Sequence, residues 1–274
     1  MRVLLVGAGG VGTAVTRIAA RRGFLAHMVV ADYDISRAEA AVAALKERGD
    51  RFSAQHLDAS DVDAVRRVLA EHECEVLLNA TDPRFVMPLF NAALSAGTHY
   101  LDMAMSLSAP HASRPYEECG VKLGDQQFGL AHSWEKSGCL ALVGMGVEPG
   151  LSDVFARYAA EELFDQIEEI GIRDGASLTV EGYDFAPTWV KGTKDGQPRQ
   201  VYLYHVVDNQ WSMHEYGSQA VVWQTAINPV VALELLATGA WSGKGVLGPE
   251  ALPPRPFLDL LTEYGSPWGQ REQG

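Results

Sequence analysis

The stretch "RVLLVGAGGVGTAV", residues 2 to 15, constrains this chain more than any other. "RVLLV" reads as a short strand that stops at glycines. "VGTAVTRIAARRG" follows with Val11, Val15, Ile18 and Ala19 at helical spacing, and Gly23 is the expected stop. A strand that turns at glycines directly into a helix opens a βαβ unit. Gly7-Ala8-Gly9-Gly10-Val11-Gly12 fits G-x-G-x-x-G at that junction. Gly7 permits the tight turn, Gly9 lets a pyrophosphate approach the backbone, and Gly12 lets the helix pack close to the strand. The helix N-terminus adds free N–H groups and a positive dipole for the phosphates. In this context the six residues point to a dinucleotide rather than to an ordinary turn.

Strand–helix alternation continues from there. "AHMVVADYD" is the second strand. "SRAEAAVAALKERG" is a helix with Ser36 as N-cap, Glu39 closing a capping box and Gly49 past its end. "RFSAQHLDAS", "CEVLLNAT", "THYLDMA" and "CLALVGMG" are further strands. "DVDAVRRVLAEH", "PLFNAALSAG" and "DQQFGLAHSWEKSG" are the helices between them. The strands are continuous apolar runs, the mark of burial on both faces. The expected class is α/β, a Rossmann-type doubly wound parallel sheet over residues 1–147.

Residues 148–274 follow a different pattern. "LSDVFARYAAEELF" is an amphipathic helix with Ser152 placed to cap it, and "IEEIGIRDG" and "SLTVEGYDF" read as strands. Residues 189–209 read as a hairpin turning at Asp195-Gly196. "YGSQAVVWQTAINPVVALELLATG" is an apolar helix that Pro229 should kink or split, and "FLDLLTEYG" is a last helical turn or two.

Open α/β sheets bind ligands at the carboxyl ends of their strands. Asp32, with Tyr33 beside it, ends the second strand. Its carboxylate would accept from the adenosine ribose hydroxyls and repel a 2′-phosphate, so NAD is expected. Arg37 lies close enough to keep NADP as the alternative. Asp58 and Ala59 fall near adenine, and Asn79 and Ala80 near the pyrophosphate and nicotinamide ribose. Asp58 would equally serve as a helix cap, and Asn79 as a turn residue.

A net charge of −13 weighs against nucleic acid and anionic membranes as partners, because phosphate-binding surfaces need clustered Lys and Arg. The first apolar run is too short for a signal h-region, and no later run reaches about 18 uninterrupted apolar residues. A cytoplasmic location is expected. Cys74, Cys119 and Cys139 form no C-x-x-C pair, and His111, His132, His205 and His214 are dispersed, so no metal site is expected. A hydroxyl dehydrogenase of the short-chain type would need Tyr-x-x-x-Lys after the fifth strand, but Tyr116 is followed four residues later by Gly120.

"MRVLLVGAGGVGTAV", "ADYD", "GTHYLDMA" and "LVGMGVEPGLSDVFA" together resemble the saccharopine dehydrogenase family. "WVKGTKDGQPRQVYLYHVVDN" and "GVLGPEALP" are similar to its C-terminal section. The resemblance implies a nicotinamide-dependent oxidoreductase acting on a C–N bond of an amino acid or secondary amine, of the saccharopine or lysine type, working as a homodimer. Leu101, Asp102 and Met103 would border the nicotinamide and substrate. Glu148 would touch the substrate amine, and Val147 and Pro149 would line the cofactor. Asp102 and Glu148 are the candidates for proton transfer, with turn closure and helix capping as their alternative roles. In the family, a long part of the substrate domain separates a "YDFAPTW"-like stretch from a "TWVKGTKDG"-like one. Here they are fused at Pro187, Thr188 and Trp189. Residues 148–274 are therefore expected to be a shortened α+β substrate and dimerisation domain. Few cations remain there to grip substrate carboxylates: Arg173, Lys191, Lys194 and Arg199, of which most read as solvated hairpin charges. The alternative reading is a shortened, weakly active or inactive dinucleotide-binding protein with a regulatory role.

Overall fold

The computed structural model describes residues 1–45, 50–173 and 188–273. Its first half alternates β1 (Arg2–Val6), α1 (Gly10–Ala19), β2 (His27–Asp32), α2 (Ile35–Ala43), β3 (Phe52–His56), α3 (Val62–Glu71), β4 (Val76–Asn79), α4 (Val86–Ala96), β5 (His99–Asp102), α5 (Asp125–Phe128), α6 (Ala131–Ser137) and β6 (Leu140–Leu142). Then come α7 (Leu151–Tyr158), β7 (Gln166–Ile172), β8 (Thr188–Lys194), β9 (Gln197–His205), α8 (Asn209–Tyr216), α9 (Ala220–Thr238), β10 (Gly245–Leu247), α10 (Pro254–Glu263) and β11 (Trp268–Glu272).

Seven parallel strands form the main sheet in the order β10-β6-β5-β4-β1-β2-β3. The order reverses at β1, between β4 and β2, and that switch point opens the crevice where such sheets bind ligands. Alternate residues of β1 serve two separate cores. Val3 and Leu5 join the one built with α1 and α9, and Leu4 and Val6 join the one built with α3 and α4. Burial of both faces explains why the strands read as continuous apolar runs.

The other sheet is antiparallel, in the order β11-β9-β8-β7. β8 and β9 are joined by Asp195 and Gly196, both left-handed at φ 51° and 73°. That pair is what a two-residue hairpin turn requires. The hairpin pairs with β7 from Gln166↔Thr193 to Ile172↔Thr188.

Several local expectations are corrected. α2 is capped by Asp34, whose Oδ1 accepts from the Ser36 amide at 3.1 Å, so Ser36 lies inside the first turn. α1 ends at Ala19, before Gly23. α7 starts after Gly150, whose amide donates to Asp153 Oδ2 at 2.8 Å, and Ser152 is buried within its first turn. α9 runs as one helix through Pro229. It passes unsplit because its flanks are held by packing along α1, with Ile227, Val230 and Val231 fully buried. Among the described residues it is the helix long and apolar enough to cross a membrane, and here it is a core element. β10 and β11 go beyond the expected elements: each is too short, or too polar, to show a period. Gly49, the strand expected within 177–185 and the Pro187 side of the fused stretch lie outside the described residues.

Candidate dinucleotide site

The glycine turn is fixed by crowding on one side and open on the other. Gly7 has φ +103°, and a Cβ there would sit 2.6 Å from the Ala80 carbonyl. A Cβ on Gly12 would lie 1.8 Å from Gly7 O, so only glycine lets α1 approach β1 this closely. A Cβ on Gly9 would meet nothing within 4 Å. Asp32 holds the turn in place: its Oδ2 accepts from the Ala8 amide at 2.7 Å and its Oδ1 from the Asp34 amide at 2.9 Å. A carboxylate has about four acceptor positions, so capacity for a ribose hydroxyl remains.

A cleft of about 550 Å³ opens beside this turn. Of the residues singled out in the sequence, Gly7, Gly9, Asp32, Tyr33, Asp58, Ala59 and Ala80 line it, together with Arg37, Thr81, Asp82 and Phe85. Its size is that of a small-molecule site. Tyr33 is 72% exposed, and its ring centroid lies 5.8 Å from that of His56. Arg37 reaches Asp34 at 3.7 Å. Asp58 is not the cap of α3; Asp61 is, accepting from the Ala64 amide at 2.9 Å. Asp58 accepts instead from the Ser60 hydroxyl and amide, which hold its carboxyl below the usual range. Gly10 and Val11 begin α1 at the edge of the turn.

The ends of β4, β5 and β6 carry a buried polar network. Asn79 Oδ1 accepts from the Thr81 amide at 2.9 Å, and Asn79 Nδ2 donates to Tyr100 OH at 3.0 Å. Tyr100 donates to Asp102 Oδ2 at 3.0 Å, and Gln127 Nε2 donates to the same oxygen at 2.8 Å. Asp102 Oδ1 accepts from the Gly144 amide at 2.8 Å. Burial raises the Asp102 carboxyl above the ordinary range, against the pull of these donors. Asp102 is 1% exposed and the Leu101 side chain is fully buried. Both side chains therefore point into the protein, and neither lines the cleft. Asn79 likewise shapes its turn from inside. Gln127, the network's other fixed point, is not among the expected site residues, and nothing in "DQQF" marks it.

Met103, half-buried, leads from β5 toward a tight turn after β6. In that turn the Gly146 amide donates to Pro149 O at 2.9 Å and Gly146 O accepts from the Leu151 amide at 3.0 Å. Val147 and Pro149 are half-buried on it and Glu148 is exposed. Of the cations considered for substrate carboxylates, Lys194 pairs with Asp165 at 3.0 Å and Arg199 pairs with Glu272.

A switch-point crevice, an acid-pinned glycine turn and a cleft at the strand ends define an α/β protein of the dinucleotide-binding class. The chain belongs to the saccharopine dehydrogenase family: the family model described as the saccharopine dehydrogenase NADP binding domain matches residues 3–142. Its first half is thus an NAD(P)-binding domain. The chain is similar to a carboxynorspermidine synthase of Vibrio cholerae, with 21% identity over 406 aligned positions covering 99% of this chain and 97% of that protein. It is also similar to a carboxyaminopropylagmatine dehydrogenase of Synechocystis, with 21% identity over 400 positions covering 100% and 98%. Alignments of 406 and 400 positions against 274 residues leave at least 132 and 126 positions of these relatives with no counterpart here. Apo saccharopine dehydrogenase (L-Glu forming) of Saccharomyces cerevisiae superposes with TM-score 0.47 and 17% identity, over 79% of this chain and 52% of that one. The chain spans about half the length of that structure.

Proposed function

We propose that this chain transfers hydride between NAD and a nitrogen-bearing carbon of an amino-acid-derived or polyamine-type amine. The observation that carries the reading is the Asp32-pinned glycine turn opening on the cleft. Bound nicotinamide would supply or accept the hydride. The chain's own part is to hold the two carbons close and to manage one proton. Glu148, exposed on the turn after β6, is the residue we assign to the substrate amine and its proton. Val147, Pro149 and Met103, which are not among the residues lining the described cleft, would border the nicotinamide and substrate beyond it. Asp102 acts from inside as a positioning residue. The fixed Asp32 carboxylate favours NAD, since a 2′-phosphate would meet a charge that cannot turn away. Saccharopine and lysine remain candidate substrates. The names of the two bacterial relatives add carboxynorspermidine and carboxyaminopropylagmatine. A homodimer in the cytoplasm is the assembly we propose.

The test is titration with NADH and with NADPH, followed by energy transfer from tryptophan to nicotinamide, then turnover assays on those four amines. Saturable NADH binding with turnover of one amine is expected. A folded protein that binds neither nucleotide would overturn the reading.

The number of the relatives' positions without a counterpart here favours a second reading, in which the chain binds dinucleotide but has lost turnover. NADH binding without oxidation or reduction of any of the four amines would support it.

A further inference from the structure

Asn228 is an anomaly in its helix. It lies in the apolar middle of α9 and is fully buried. Its Nδ2 donates to Gly146 O at 2.8 Å, across 82 residues, and to Gln224 O at 3.0 Å. Its Oδ1 is also buried and has no hydrogen-bond partner among the described residues. A buried acceptor left unpaired is costly, and a leucine would fill the same helix face without that cost. The asparagine is thus poorly explained by stability alone.

What it touches supplies a reason. Gly146 O is the anchor of the turn that carries Glu148: it receives the Leu151 amide as well, while the Gly146 amide closes on Pro149 O. A Cβ on Gly150 would lie 2.0 Å from Gly146 O, so the turn has no slack. A shift of the Gly146 peptide therefore carries Glu148 with it. Nearer its start, α9 meets the glycine turn at the start of α1, where a Cβ on Gly10 would lie 3.7 Å from Val222. One rigid helix touches both the phosphate-binding turn and the turn after β6.

We propose that Asn228 is a positioning residue, through which α9 sets the Gly146–Pro149 turn, and with it Glu148, against the nicotinamide end of the cleft. The proposal rests on the assignment of Glu148 to the substrate amine. It predicts a defect in geometry, not in nucleotide affinity, because Asn228 is not among the residues that line the cleft.

The test compares wild type with Asn228→Leu, which removes both the donor and the orphan acceptor, and with Leu233→Ala. The last opens a cavity in the same helix away from Gly146. The probe is NADH. Asn228→Leu should melt no lower than wild type and bind NADH within about twofold. Emission of the bound nicotinamide should change measurably, and kcat on any amine the wild type turns over should fall at least tenfold with KM altered less than threefold. Leu233→Ala should lower the melting temperature and leave the emission of bound NADH unchanged. If folded Asn228→Leu matches wild type in bound-nicotinamide emission, and in kcat where turnover exists, the proposal fails and the functional reading stands. Should wild type itself not bind NADH, that reading falls and takes this proposal with it.

Discussion

The Asp102 carboxylate accepts the Gly144 amide at 2.8 Å from a position only 1% exposed. This contact joins the end of β5 to the start of the turn that carries Glu148. The same carboxylate takes Tyr100 and Gln127 on its other oxygen. It is a hub that ties β5 to α5 and to the turn after β6, rather than a group facing the cleft.

Removing the hub should therefore cost stability. Asp102→Ala leaves the Gly144 amide, the Gln127 amide and the Tyr100 hydroxyl without their acceptor in a buried site. Each orphaned group costs about 1–3 kcal/mol, so a loss of about 3 kcal/mol or more is expected. Asp102→Asn keeps one acceptor oxygen and should lose less. Urea unfolding of the two variants checks the order, and an Ala variant as stable as wild type would contradict the network.

Two glycines of one turn should fail in different ways. A Cβ on Gly12 meets Gly7 O at 1.8 Å, whereas a Cβ on Gly9 meets nothing within 4 Å. Gly12→Ala should lower the melting temperature because α1 must move away from β1. Gly9→Ala should melt like wild type yet bind NADH at least about tenfold more weakly, since its side chain would occupy the path of the pyrophosphate. Calorimetry and nucleotide titration separate the two effects.

Asp32 should matter to affinity and to nucleotide choice. Asp32→Ala removes the ribose acceptor and the partner of the Ala8 amide. A loss of about 1.5 kcal/mol is roughly tenfold in Kd for NADH. NADPH binding should weaken less, because a repulsion is removed together with the contact. An unchanged ratio of the two affinities would argue against Asp32 as the discriminating residue.

His205 makes the fold sensitive to acid. It is buried at the end of β9, bonded through Nε2 to the Ser266 hydroxyl, and burial pushes its imidazole down to about 4. An unfolded histidine titrates near about 6.5. The unfolded chain therefore takes up a proton that the native one refuses. Stability is fully present above about 6.5 and is lost as pH falls toward about 4, by about 3 kcal/mol over that window from this residue. His205→Gln should flatten the profile of unfolding free energy between pH 7 and pH 4; identical slopes would show that other groups dominate.

Much of the dinucleotide half is legible in the order of its residues. The strand, the glycine turn, α1 and Asp32 are all decided within about thirty residues, where period, spacing and turn chemistry act locally. The hairpin at Asp195-Gly196 is legible for the same reason, because its two left-handed residues specify the turn. The direction of Asp102 is not. A residue ending a strand can face either side, and its partners Gly144 and Gln127 lie 42 and 25 residues away.

Chain order thus set the α/β class and the nucleotide-binding end, because those depend on neighbours in sequence. Long-range packing settled the rest. It drew β10 back beside β6, laid α9 along α1, and put Asn228 on a carbonyl 82 residues distant. Such contacts arise only when buried polar groups find partners during collapse, and no local period announces which partner that will be.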